Sequence, residues 1–197
     1  EVAIIGGTVR NEMAADWRRT LRQLAALGYG AYEGGAPKDV EPAAFLAELR
    51  AAGLESVALG GAMGGMKDAI DPYLRQAEAL GARYIVCYWP WLSSADALTR
   101  EETLAAAENL NTLGKAVSRA GLHLVWHNHD KEFVDVEGGK VFDLLMEHTD
   151  PDHVNMELDW YWVVKGGADP VEILHRYPGR FPLAHVKDMN NNRDGGI

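Results

Sequence analysis

Cysteine is nearly absent from this 197-residue chain, Cys87 being the only one. An internal disulfide framework is thereby excluded, and a reduced interior fits. Cys87 follows Arg83-Tyr84-Ile85-Val86, a strand-like run that assigns it to the core as a small apolar side chain and not as a reactive thiol. Basic residues are also scarce: 19 Lys and Arg against 29 Asp and Glu give a formal charge of −10. No basic run occurs, so the surface that displaces counterions from a duplex is missing, and nucleic acid is not an expected partner. No apolar run reaches transmembrane length and no signal-peptide pattern is visible, so no membrane association is expected. The first residue is Glu1 and not Met, which is compatible with a removed leader. The compartment is thus left open, with the cytoplasm favoured and export allowed.

What the chain does have is 47% hydrophobic and 24% charged residues, the profile of one globular domain expected to span 1–197. Its main pattern is repeated punctuation. Helix-like segments end at Gly28, Gly53, Gly81 and Gly121, and a strand-like run follows at once, as in AALGYGAYE and RAGLHLVWHNH. Glycine tolerates the left-handed backbone just past a helix end, so each reads as a helix stop feeding a strand. The helices are amphipathic: DWRRTLRQLAAL spaces Trp17, Leu21, Leu24 and Leu27 three or four apart. Seven strands are expected, near 2–9, 29–34, 54–60, 82–89, 122–129, 153–161 and 181–187, alternating with six helices. GGAMGGM at 60–66 reads as a flexible loop.

Strict alternation implies parallel strands with right-handed crossovers, in an open doubly wound sheet or a (β/α)8 barrel. The GxGxxG turn that an open dinucleotide-binding sheet places after its first strand is missing. Chemically able residues instead close successive strands: Glu33, Trp89, His127 with His129, Asp159, and His185 with Lys187. In a barrel these ends share one mouth. The expected fold class is therefore α/β, a TIM barrel.

Side chains two apart on a strand share a face. That pairs His127 with His129, Glu157 with Asp159 and His185 with Lys187, and turns Asn128 away. Carboxylates buried in such a mouth need a cation or strong hydrogen bonds. Mixed carboxylate and imidazole donors suit Mn2+, Mg2+, Co2+ or Zn2+. A single strand-end His or Asp is commonly structural, and Glu157, one layer deeper than Asp159, is read that way. His123, His148, His153 and His175 fall at strand starts or on helices and receive no chemistry. Trp89, Trp91, Trp160 and Trp162 suit stacking on a sugar ring, or else fill space between strands and helices. The letters HNH at 127–129 also name a nuclease motif, but its residues are dispersed over a ββα element and do not stand side by side at a strand end.

WHNHDKEF, then ELDWYWVVKGGADPVEIL about 25 residues on, then RFPLAHVKDM, resemble the sugar phosphate isomerase/epimerase family of xylose isomerase-like TIM barrels. That family also includes inosose dehydratases and hydroxypyruvate isomerases, and the resemblance runs over essentially the whole chain. It implies metal ligands at the ends of strands five to eight. Carried over, these are Asp159, His185 and Glu132, with His127 as the substitute for Glu132. The eighth-strand Glu has no counterpart, so the barrel is expected to stop after strand seven. Mn2+ is the metal expected first.

The resemblance further implies a sugar, keto-sugar or polyol substrate and an isomerase or epimerase working through an enediolate, with a dehydratase or lyase as the alternative. His127, His129 and Lys187 are the catalytic candidates, His129 with Glu132 for proton transfer and Lys187 for a developing oxyanion. Glu33, Trp89 and Trp162 are the substrate-binding candidates. A non-catalytic barrel binding a sugar or partner protein is the rival outside enzymes. A DNA-repair endonuclease shares the barrel but needs more histidines and a basic groove. Homo-oligomerisation is left open.

Overall fold

The computed structural model describes residues 1–93 and 98–189. In chain order its main elements are β1 (Ala3–Ile5), α1 (Arg10–Ala26), β2 (Ala31–Glu33), α2 (Pro42–Ala52), β3 (Glu55–Ala62), α3 (Met63–Asp68), α4 (Asp71–Leu80), β4 (Tyr84–Trp89), α5 (Arg100–Arg119), β5 (His123–His127), α6 (Val141–His148), β6 (Val154–Asp159), α7 (Trp160–Lys165), α8 (Pro170–Arg176) and β7 (Leu183–His185). The chain clusters into two compact units, Glu1–Gly60 with Ala69–Ile85, and Gly61–Asp68 with Val86 onward. Among the described residues seven strands carry the alternation, and no eighth joins them.

In the first unit β1, β2 and β3 are neighbours in that order and run parallel, with Ile5 opposite Glu33 and Ala31 opposite Glu55. Phe45 and Leu49 of α2 and Leu21 of α1 are fully buried. Each such side chain stabilises the fold by roughly 1.5–3 kcal/mol relative to exposure. The glycine punctuation is borne out at all four sites, whose φ values are 96° at Gly28, 81° at Gly53, 69° at Gly81 and 76° at Gly121. At Gly53 the chain closes α2 through Leu54 N–H donating to Leu49 C=O, and Glu55 N–H then donates to Gly30 C=O, the first bond of β3.

In the second unit β4, β5, β6 and β7 follow in chain order. β5 and β6 pair in parallel with His127 opposite Glu157, and β6 and β7 with Asp159 opposite His185. Trp126 stacks toward Phe142 of α6, ring centroids 5.7 Å apart, so strand alternation sends His127 to the opposite face. This register is what assembles the site.

Three expectations are corrected. The first strand stops at Ile5, because Gly6–Val9 coil into a 3-10 turn. GGAMGGM is no loop: β3 runs through Ala62 and α3 follows, anchored by Met63 and Met66, three residues apart and both fully buried. That burial outweighs the poor helix propensity of Gly64 and Gly65. The sixth strand stops at Asp159, and WYWVVK forms α7, because the Asp159 carboxylate caps it. Helices α3 and α7 raise the count from the six expected to eight among the described residues.

Candidate metal centre

Strands β5, β6 and β7 each deliver one donor side chain from the C-terminal end. His127 Nε2 stands 3.6 Å from Asp159 Oδ2, and His185 Nδ1 stands 3.6 Å from the same oxygen. One donor atom from each of the three lies within 4.8 Å of the other two. These three side chains would be the ones to hold a single divalent ion.

Glu157 stands behind both rings. Its Oε2 is 3.2 Å from His127 Nδ1, and its Oε1 is 3.4 Å from His185 Nε2. A carboxylate accepts from the ring N–H that faces it, so with Glu157 ionised His127 Nδ1 carries its proton. His127 Nε2 is then the ring nitrogen left with a lone pair for a cation. A carboxylate behind an imidazole is the arrangement that fixes tautomer and orientation in metal-binding histidines.

Asp159 divides its carboxylate between two tasks. Oδ1 accepts from Trp162 N–H at 3.1 Å and caps α7, while Oδ2 accepts from Lys187 Nζ at 2.5 Å and faces both imidazoles. Burial lifts its pKa, but His185 and Lys187 outweigh that and hold it below the ordinary aspartate value. For His127, burial first and then the neighbouring His185 and His129 push the pKa well below that of a free imidazole. The ring is therefore neutral at pH 7, as a ligand must be. Burial and then Lys187 also lower His129. A neutral His127 imidazole, the His185 ring and an ionised, buried carboxylate form a donor set that fits Mn2+, Co2+ or Zn2+.

The structure brings together His127, Asp159 and His185, and puts Glu132 to another use. Glu132 is fully buried, its Oε1 accepting from Trp91 Nε1 at 3.0 Å and its Oε2 from His129 N–H at 2.8 Å. One oxygen is thus held from beyond β4 and the other from its own segment, while His127, the substitute named for the fifth strand, stands beside Asp159. Burial raises the Glu132 pKa to about 7 against the opposing His129 N–H bond.

His129 lies past the end of β5, yet its ring centroid is 5.0 Å from that of His127. It sits between Trp89, at 5.5 Å, and Trp162, at 5.2 Å. Trp162 arrives from α7 and not from a strand. Lys187 lies 5.8 Å from the Trp162 ring centroid. Glu33 closes β2 in the first unit and is buried. The residue whose part sequence reasoning missed is Glu157. The signal was the matched spacing of HxH and ExD, since the register that sets Glu157 opposite His127 puts them at one depth.

A parallel strand–helix repeat with its polar cluster at the C-terminal strand ends defines a (β/α)8-type protein. The chain belongs to the xylose isomerase-like TIM barrel family, whose model matches residues 21–197. It is 30% identical over 194 residues to an inosose dehydratase of Geobacillus kaustophilus, covering 88% of this chain and 62% of that protein. It is 33% identical over 100 residues to inosose dehydratase 2 of Bacillus cereus, covering 51% of this chain and 33% of that protein. Among solved structures, a sugar phosphate isomerase/epimerase from Parabacteroides distasonis superposes over 100% of this chain and 78% of its own, with a TM-score of 0.84 and 25% identity. The chain thus spans less than two thirds of the length of these two curated relatives. No helix of the described residues is long and apolar enough to cross a membrane.

Proposed function

We propose that this chain carries the metal site of an enzyme that removes a proton beside the carbonyl of a keto-polyol or keto-sugar, and that the resulting enediolate then loses water. The observation that carries this reading is the buried cluster of His127, Asp159 and His185 with Glu157 behind both rings. A divalent cation held by the three ligands, Mn2+ first, supplies the Lewis acidity that makes such a C–H bond acidic.

The chain's own residues account for the rest. His129, neutral at pH 7 and half-buried, is the proton acceptor. Trp89 and Trp162 flank it and offer apolar faces to the C–H side of a sugar ring. Lys187 brings its ammonium to the Asp159 oxygen that faces both imidazoles, where it stabilises negative charge developing on a substrate oxygen. The C–H electron pair forms the enediolate. A hydroxyl on the next carbon then departs with a proton as water, leaving an enol that ketonises.

The inosose dehydratase relative favours loss of water as the outcome. Return of the proton to the neighbouring carbon or the opposite face is the second reading, an isomerase or epimerase, and the Parabacteroides distasonis structure supports it. NMR of the full-length protein with an inosose and with keto-sugars in D2O separates them. Loss of a hydroxyl carbon signal is the expected result. Deuterium at the carbon beside the carbonyl with every hydroxyl retained selects the second reading, and neither change contradicts both.

A further inference from the structure

Asn128 stands between the two histidines in sequence, just past the end of β5, and is fully buried. Its Oδ1 accepts from the Asp159 N–H at 2.8 Å, and its Nδ2 donates to the Asp159 C=O at 3.2 Å. The backbone ladder between β5 and β6 runs from Leu124 opposite Val154 to His127 opposite Glu157. Asp159 lies two residues beyond its last rung, where β6 gives way to α7. A side-chain amide presents one acceptor and one donor, as a peptide group does. Asn128 therefore adds a rung that the backbone does not make, at the residue whose carboxylate faces both imidazoles.

We propose that Asn128 is a positioning residue of this site. Through its amide it ties the segment carrying His127 to the peptide of Asp159, and so holds Asp159 Oδ2 in reach of His127 Nε2 and His185 Nδ1. This rests on reading Asp159 and the two histidines as metal ligands. The alternative role is structural only: without the amide, two buried backbone groups of Asp159 lose their partners, and stability falls with no particular effect on the ligands. Residues that orient ligands without touching the metal differ in their signature, since their loss weakens metal affinity by about 10–100-fold.

The test uses the full-length protein and Mn2+ as the probe. Dissociation constants come from calorimetry at neutral pH, and melting temperatures are taken without metal, for the unaltered protein, Asn128→Ala, Asn128→Ser and Asp159→Ala. Asn128→Ala is expected to weaken Mn2+ binding about 10–100-fold in protein that is still folded. Asn128→Ser, whose shorter hydroxyl keeps a polar group there with at most a weakened contact, is expected to fall in between, and it decides the matter where Asn128→Ala does not fold. A lowered melting temperature with unchanged Mn2+ affinity in the folded Asn128 variants overturns the proposal while leaving the ligand reading intact. Failure of the unaltered protein to bind Mn2+, or binding that survives Asp159→Ala, overturns the ligand reading and this proposal together.

Discussion

Glu132 and Glu157 are both fully buried carboxylates beside histidines, and their partners separate their roles. Glu157 faces two imidazole rings, whereas Glu132 faces an indole N–H and a backbone N–H. Sequence proximity made Glu132 the more visible of the two, because DKE follows HNH directly. Which groups a carboxylate meets depends on strand register and turn geometry, and those lie in no single stretch of sequence. Glu132 also carries a pH-dependent stability. Its folded-state pKa of about 7 lies above the unfolded value of about 4.3. Between these values the folded protein holds a proton that the unfolded chain has released. This contribution is fully present below the unfolded pKa, declines as pH rises from there, and is lost above about 7. It amounts to something on the order of 3 kcal/mol. Urea unfolding at pH 5 and pH 7 should therefore show a decline toward neutral pH that Glu132→Gln flattens. An equal decline in both proteins would place its source elsewhere.

At the level of elements, the helix stops were legible because they are local. A glycine just past an apolar helix face announces a left-handed residue without reference to the rest of the fold, and all four such glycines have positive φ. Helix α7 was not legible, because WYWVV is made of strand-forming residues and only the Asp159 cap turns it into a helix. Asp159 thus serves α7 with one oxygen and the candidate centre with the other, and the two tasks are separable. Asp159→Asn keeps an amide oxygen for the Trp162 N–H but loses the charge that Lys187 pairs with, so metal binding should vanish and unfolding free energy should fall with the broken ion pair. Asp159→Ala loses the cap as well and should cost about 1 kcal/mol more. Paired urea melts and metal titrations check this, and equal stability of the two variants would deny the cap its role.

Across the whole molecule, the parallel strand–helix repeat and the shared end of its strands followed from periodicity and from which residues close the strands. The membership of His127, Asp159 and His185 in one cluster followed once register was known, since β5, β6 and β7 place them on successive rungs. The proposed chemistry hinges on a cation that imidazole nitrogens and an ionised carboxylate are suited to hold. Elemental analysis of the purified full-length protein beside Asp159→Ala and His185→Ala tests this most directly. Close to one equivalent of Mn, Co or Zn is expected in the unaltered protein, with its loss in both variants. Equal metal in all three, or none in any after incubation with these ions, would contradict it.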